Sequence, residues 1–320
     1  MTALNVLVTG ASGFVGEALV LELLVGRRFC PVAAVRGVTR LQGLCRVIPL
    51  DLTRTEVLPI LEGIQVVVHA AARVHVMHES TADALAEFRK VNVQGTLKLA
   101  RRAAESGVKR FIFISSIKVN GESTPSGSVF RADDLPSPVD PYGVSKYEAE
   151  ESLRRMGRET GMEIVIIRPP LVYGPGVKAN FMSMLGWLHR GVPLPLGAVN
   201  NQRSLVSIGN LISLIVTCID HQAAINQVFL VSDGEDMSTT QLLSRLSRAF
   251  GKRAWLLPIP EWLLKRVASM FGMQAVTQRL CGSLLVDIDK NFELLGWKPP
   301  VNVDRAMRQT VNHYLDANTK

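Results

Sequence analysis

Three side chains of this 320-residue chain have the chemistry to move a proton beside a carbonyl or hydroxyl: Ser116, Tyr142 and Lys146. A tyrosine hydroxyl ordinarily titrates near pH 10, so alone it exchanges protons slowly at neutral pH. A nearby ammonium favours the phenolate and lowers that value. Lys146 follows Tyr142 by four positions, so on a helix the two share one face. A serine hydroxyl completes the set by orienting the substrate oxygen. Such a centre needs a hydride carrier beside it to do redox chemistry. Y-x-x-x-K by itself also describes an ordinary surface pair, so the reading rests on what accompanies it.

The accompaniment begins at the amino terminus. Residues 4–8 are an apolar run that breaks at Gly10, and Gly13 and Gly16 follow at three-residue spacing. A helical pattern then carries Phe14, Ala18 and Leu21 on one side. A strand, a tight turn and a helix start make a pyrophosphate cradle: glycine lets backbone approach a ligand, and the helix N-terminus offers free N–H groups. The predicted contacts are Gly10, Ser12, Gly13, Phe14, Val15 and Gly16. About 20 residues on, where a dinucleotide-binding unit often holds a carboxylate for the adenosine ribose, stands Arg36. A guanidinium pairs with a 2′-phosphate, so NADP(H) is favoured over NAD(H), with Arg40 as helper. The competing reading is a surface arginine at a strand end.

Strand–helix alternation organises the first half. Strands are predicted at residues 32–35, 46–50, 65–69, 109–115 and 162–167. Asp51 and Leu52 close the third strand, Asp51 either bonding adenine or capping the next helix. Ala70, Ala71 and Ala72 after the fourth leave room for a cofactor. His75 and His78 have no partner at metal-ligand spacing, and no metal site is expected. A long helix over 82–106 carries Asn92, a poor helix former with a specific role such as holding a water or a backbone carbonyl near the cofactor. Ser115 and Ser116 end the fifth strand and face the cofactor crevice, since ligands sit at the carboxyl ends of parallel strands. Asp140 as N-cap and Pro141 at the first helical position start the Tyr142 helix. Glu150–Arg154 and Glu151–Arg155 form i,i+4 pairs on its exposed side.

The alternation weakens at the turn 173–176, which divides the chain into a dinucleotide-binding domain, 1–172, and a smaller substrate domain, 173–320. Helices are predicted over 180–190, 210–220, 239–250, 259–271 and 303–314, with short strands near 204–207 and 227–232 that rejoin the first domain. The fold class is α/β, a doubly wound parallel sheet with a C-terminal substrate-binding domain. Stretch 255–271 is apolar with basic punctuation; a buried cap helix or a dimer contact is the favoured reading, a membrane-surface helix the other.

A net charge of +8 is spread over helix faces such as Arg101-Arg102, and suits an anionic small molecule better than nucleic acid. The four cysteines lie far apart without C-x-x-C spacing, so reduced thiols are expected. No signal-like segment opens the sequence and residues 208–219 are too short and polar to span a bilayer, so a cytoplasmic protein without an integral membrane segment is expected.

The glycine turn, Ser115-Ser116, Tyr142/Lys146 and residues 168–176 together resemble an extended short-chain dehydrogenase/reductase, specifically the sugar-nucleotide epimerases, dehydratases and 4-ketoreductases. The resemblance implies that Ser116 polarises the sugar oxygen, Tyr142 transfers its proton, and Lys146 tunes Tyr142 and bonds the nicotinamide ribose. It adds Asn92 and Pro169 to the cofactor set. It gives a UDP-sugar as substrate, with Arg73, Ser116, Lys118, Asn180, Arg203 and Arg279 as contacts, Asn180 and the two last-named arginines facing the diphosphate. It also implies a homodimer through the helices near 82–106 and 141–160.

Within the family, 4,6-dehydratases carry Asp-Glu directly after the catalytic hydroxyl; here Ile117 and Lys118 stand there, which removes the base for elimination. Epimerases keep NAD through both half-reactions and commonly have an acidic residue where Arg36 stands. Residues 115–121 and the 284–297 tail are most similar to bacterial O-antigen and lipopolysaccharide reductases. The leading expectation is therefore NADPH-dependent reduction of the C4 keto group of a UDP-4-keto-6-deoxy-N-acetylhexosamine, giving UDP-N-acetylquinovosamine or UDP-N-acetylfucosamine. The alternative is a UDP-hexose or UDP-N-acetylhexosamine 4-epimerase with tightly bound NAD. A non-catalytic Rossmann sensor is the third, opposed by the intact Ser116, Tyr142 and Lys146.

Overall fold

A computed structural model of the chain describes residues 3–53, 59–74, 84–272 and 274–318. His75 and His78 lie outside these. In chain order the elements are β1 (Leu4–Thr9), α1 (Phe14–Gly26), β2 (Phe29–Val35), β3 (Arg46–Pro49), β4 (Val66–His69), α2 (Ala84–Phe88), a π-helical segment (Arg89–Gly95), α3 (Thr96–Glu105) and β5 (Arg110–Ile114). A 3-10 turn (Ile117–Val119), α4 (Pro141–Thr160), β6 (Glu163–Arg168), β7 (Leu171–Tyr173), α5 (Ala179–Arg190), β8 (Leu205–Ser207), α6 (Ile208–Asp220) and β9 (Val228–Leu230) follow. The chain closes with α7 (Thr239–Ala249), α8 (Glu261–Met270), α9 (Gln274–Cys281), α10 (Asp289–Leu295) and α11 (Val303–Asn318).

Seven strands form one parallel sheet in the order β3-β2-β1-β4-β5-β6-β9. The chain winds outward from β1 to β3, then returns to β4 on the other side of β1. The crevice of such a sheet opens at the carboxyl ends of β1 and β4, where the winding reverses. Both faces are covered, so strand residues alternate between two cores. Val6, Val8, Ile112, Ile114, Val165 and Ile167 point to one, shared with α1 and α6. Leu7, Phe111, Phe113, Ile164 and Ile166 point to the other, shared with α3 and α4. Each such side chain contributes about 1.5–3 kcal/mol when buried.

β9 pairs with β6 in the main sheet, while β8 pairs with β7 in a separate two-stranded ribbon. A third core gathers Phe181 and Leu185 of α5, Leu242 and Leu246 of α7, and Met307 and Val311 of α11 around Tyr173.

Several elements differ from the sequence reading. The described part of the long helix over 82–106 is broken into α2, a π segment and α3. A π-bulge adds a residue to a turn and is common at functional positions; here it accompanies the burial of Asn92, 1% exposed. Gly95 packs on the Leu52 carbonyl, which a Cβ would approach to 3.0 Å. β7, α9 and α10 were not foreseen, each being too short to show a period. α8 is not a buried cap helix: none of its ten residues is buried.

Candidate active site

The glycine turn packs backbone on backbone more closely than any Cβ allows. Gly10 adopts φ +65, and a Cβ there would meet the Ala71 nitrogen at 2.8 Å. At Gly16 a Cβ would lie 2.3 Å from the Gly10 carbonyl oxygen, so α1 starts hard against the turn. Gly13, the N-cap of α1, provides no side-chain cap, and Ser12 is exposed beside it. The first N–H groups of α1 therefore face outward with the helix's positive end behind them, as a pyrophosphate requires. Phe14 and Val15 are half-buried at the same helix start. The residues present fit a dinucleotide.

Beside this turn the ends of β1 and β4 are tied through His69. Its Nδ1 lies 2.7 Å from the Thr9 hydroxyl and its Nε2 2.9 Å from the Thr96 hydroxyl; Thr9 also accepts from the Ala71 amide at 3.2 Å. Burial pushes the imidazole down to about 3, so it is a neutral structural strut. Half-buried Ala70, Ala71 and Ala72 follow it. Asn92 then clamps the next residue: its Oδ1 accepts from the Arg73 amide at 2.8 Å, and its Nδ2 donates to the Arg73 carbonyl at 3.0 Å and to Ser145 Oγ at 3.1 Å. Asn92 thus holds a backbone carbonyl, one of the two partners expected of it. The Arg73 guanidinium lies 3.7 Å from Glu87.

Across the crevice β5 ends at Ser115 and Ser116, and the two diverge. Ser115 Oγ donates to buried Glu150, so it faces inward and not toward the crevice as expected. Ser116 caps the 117–119 turn, accepting from the Lys118 amide at 3.3 Å, and stays half-buried. Helix α4 begins as predicted: Asp140 Oδ1 accepts from the Gly143 amide at 2.7 Å, with Pro141 at the first position. Gly143 lets α4 pack directly on that turn, since a Cβ there would lie 2.8 Å from the Lys118 carbonyl. Tyr142 is thereby brought beside the segment that carries Ser116, its ring edge-on to Phe88 at 5.8 Å. One turn further on, the Lys146 ammonium sits 4.0 Å above the centre of the Phe113 ring, 1% exposed.

The electrostatics differ from the sequence expectation. Lys146 was expected to lower the Tyr142 hydroxyl; instead burial, with the Asp140 carboxylate adding to it, pushes that hydroxyl up to about 12. Lys146 itself is brought down to about 7 by burial, partly offset by Glu150. The physical reason is that desolvation disfavours both charged forms and outweighs their attraction.

Glu150 is a further correction. It continues the Tyr142–Lys146 row by four residues and therefore points inward, fully buried. It does not pair with Arg154. Its carboxylate takes Arg168 from β6 in a two-pronged contact, with Arg168 Nε 3.0 Å from one oxygen and Nη2 2.6 Å from the other; Arg168 Nη1 reaches Asn120 at 3.0 Å. Arg154 instead lies 3.7 Å from Glu151. Spacing alone could have found Glu150, because helix geometry gives positions 142, 146 and 150 one face.

The remaining predicted contacts are dispersed. Arg36 is exposed at the end of β2. Arg40 is held by Glu17 of α1. Asp51 accepts from the Thr53 amide at 2.9 Å and from its hydroxyl at 2.7 Å, closing a local turn; Leu52 is buried. Pro169 is buried, its carbonyl accepting from the Ile117 amide at 3.0 Å. Lys118 is drawn to Asp140 and to Glu122, the latter at 3.0 Å. Asn180 is exposed in the first turn of α5. Arg203 Nη1 donates to the Arg279 and Gly282 carbonyls, both at 3.0 Å, while no carboxylate pairs with it among the described residues. Burial lowers its pKa, a guanidinium short of a counter-charge. The Arg279 side chain is exposed nearby. A cavity of 270 Å³ lies alongside, lined by Ser123, Lys265, Thr277, Gln278, Cys281 and Gly282. Among the described residues no cluster of three or more His, Cys, Asp or Glu could hold a metal.

Comparison with known proteins places this geometry. A profile of the NAD dependent epimerase/dehydratase family matches residues 6–232. The chain is 48% identical over 319 residues to a UDP-glucose 4-epimerase of Vibrio cholerae, covering 99% of this chain and 97% of that one. It is 27% identical to an N-acetyl-alpha-D-glucosaminyl-diphospho-ditrans,octacis-undecaprenol 4-epimerase of Escherichia coli O157:H7, covering 97% and 95%. Its fold superposes with a TM-score of 0.80 on a UDP-glucuronic acid 4-epimerase from Bacillus cereus in complex with NAD, at 22% identity and 98% and 99% coverage.

Proposed function

The chain belongs to the NAD dependent epimerase/dehydratase family, and on that premise we propose that it is a 4-epimerase of a UDP-hexose or UDP-N-acetylhexosamine. The comparisons favour this over the 4-reductase that the sequence put first, because the 48% identical relative carries that activity over nearly its whole length. The observation that supports the reading is the seating of α4 on the 117–119 turn: Gly143 packs on the Lys118 carbonyl next to the Ser116 N-cap, and Tyr142 and Lys146 stand on the first turns of that same helix.

In this reading residues 10–16 and Ala70–Ala72 hold NAD, which when bound supplies the hydride exchange at C4. Tyr142 takes the proton from the C4 hydroxyl and later returns it. Ser116 donates to the same oxygen and fixes its position. Lys146, one turn on from Tyr142 and pressed on Phe113, supplies a positive charge against the burial that holds the Tyr142 hydroxyl up. Arg203 faces the sugar diphosphate, whose negative charge answers its missing carboxylate.

The test is incubation of purified protein with UDP-glucose or UDP-N-acetylglucosamine and no added nucleotide. Interconversion at C4, with NAD released on denaturing the protein, is the expected result. Failure of both sugars to interconvert, even with NAD added, rejects the reading.

A second reading, the NADPH-dependent 4-ketoreductase, is favoured by one specific observation: Arg36 stands exposed at the end of β2 in place of a carboxylate. It expects NADPH consumption with a UDP-4-keto sugar. It also expects Arg36→Ala to weaken NADPH at least tenfold while leaving NADH unchanged.

A further inference from the structure

The segment 251–272 presents an apolar surface that the folded chain leaves uncovered. Trp255 and Trp262 are 66% and 65% exposed, and Met270 and Phe271 78% and 74%. Tryptophan in a folded protein is largely buried on average, so two exposed ones in a segment that also exposes a Phe and a Met mark a contact surface. On α8, Trp262, Arg266 and Met270 follow at four-residue spacing and form one outward row, with Lys265 and Val267 flanking it. The inward positions Leu263, Leu264 and Ala268 are only half-buried, so α8 lies on the molecule without entering it.

Charge decides what covers this surface. The segment carries four cations, Lys252, Arg253, Lys265 and Arg266, against one carboxylate, Glu261. All four cations are exposed, whereas Glu261 is half-buried and pairs with Lys265 at 3.3 Å. A second copy of the chain meeting this face about a two-fold axis would bring like charges together. Tryptophan interleaved with lysine and arginine on one helical face is instead the composition that partitions into the headgroup region of a bilayer.

We propose that α8 and the preceding strap seat this protein on an anionic membrane surface. Trp255, Trp262, Met270 and Phe271 enter the headgroup–acyl boundary, and Arg253, Lys265 and Arg266 lie among anionic headgroups. The attachment is peripheral: among the described residues no helix is long and apolar enough to cross a membrane. Because Lys265 also lines the 270 Å³ cavity, this seating brings the cavity alongside the membrane surface. The inference does not depend on which sugar the active site accepts.

The full-length protein is sedimented with vesicles of phosphatidylglycerol and phosphatidylcholine in equal parts, and with phosphatidylcholine alone. The expected result is co-sedimentation with the anionic vesicles, weakened by salt, and quenching of tryptophan fluorescence by brominated acyl chains. Each basic residue near an anionic surface is worth roughly fivefold in partitioning, so Arg253→Glu/Arg266→Glu should lower it at least about 25-fold. Trp262→Ser/Phe271→Ser should lower it and the quenching at least tenfold, with circular dichroism and oligomeric state unchanged. A wild-type protein that stays in the supernatant, or is not quenched by brominated lipid, overturns the proposal. So does a wild-type dimer that Trp262→Ser/Phe271→Ser converts to monomer, since a second copy would then be the cover.

Discussion

Replacing Lys146 by methionine should make the ligand-free protein more stable while removing its activity. The ammonium is brought from an ordinary 10.5 down to about 7, with burial the largest cause. Holding an amine that far down corresponds to about 5 kcal/mol of cost for carrying the charge inside the fold. Below pH 7 Lys146 is protonated in both folded and unfolded chains, and the full cost is present. Between pH 7 and 10.5 the folded protein releases the proton and the unfolded chain keeps it, so the cost fades and stability rises with pH. Methionine has nearly the same length, keeps the contact with Phe113 and carries no charge. The stability gap between Lys146→Met and wild type should therefore be about 5 kcal/mol at pH 6.5 and narrow to about 2 kcal/mol at pH 9.

Urea unfolding of the two ligand-free proteins, measured across that pH range, gives the gap directly. Titrations of groups that do not interact with Lys146 cancel in the difference. Turnover measured on the same preparations should fall by at least about 100-fold, because Tyr142 loses the positive charge on its own helix face that opposes burial of its phenolate. A variant less stable than wild type, or a gap that does not change with pH, would refute the reasoning that Lys146 is held against a burial cost.

Three further outcomes follow from the same geometry. Tyr142→Phe removes only the proton-transfer hydroxyl, so turnover should drop by about 10²–10⁴-fold while dinucleotide affinity, read by equilibrium dialysis, stays within twofold. Gly16→Ala places a Cβ 2.3 Å from the Gly10 carbonyl; the helix must shift, and dinucleotide affinity measured by calorimetry should fall at least tenfold. Glu150→Gln leaves Arg168 buried without its counter-charge and should cost about 3–5 kcal/mol in urea unfolding. Replacing the pair together, Glu150→Leu/Arg168→Met, should recover most of that loss; equal losses in the single and double variants would show that the ion pair is not the source.

The parallel sheet was legible because its strands are short apolar runs separated by helical periods, and the topology rules leave little choice in how such a sequence winds. The glycine turn was legible for a local reason: three glycines at a strand end leave room where any Cβ would strike backbone. The N-cap at Asp140 and the Tyr142–Lys146 spacing were equally local. What escaped were features decided by distant partners. Ser115 and Ser116 are identical as letters, and only the buried Glu150–Arg168 pair, one partner on α4 and the other on β6, separates their roles. His69 has no motif around it, yet Thr9 and Thr96 make it the strut between β1, β4 and α3. The exposure of α8 was hidden because an apolar helix reads the same whether protein or lipid covers it.

Glu150 shows how the two kinds of information combine. The i,i+4 rule that relates Glu150 to Arg154 also relates it to Lys146, and of these neighbours Lys146 is buried with Glu150 while the Arg154 side chain lies toward solvent. Glu150 continues the row of buried Lys146 into the core, where an unpaired carboxylate is untenable. A cation from another element is then required, and Arg168 at the end of β6 supplies it, 1% exposed. That pair fixes α4 to the sheet directly behind Lys146 and draws off the Ser115 hydroxyl, leaving Ser116 as the serine at the crevice. It also leaves the Glu150 carboxylate near enough to favour the charged form of Lys146 against burial. One carboxylate thus sets the helix, selects the serine and moderates the lysine, and its substitution should disturb all three together.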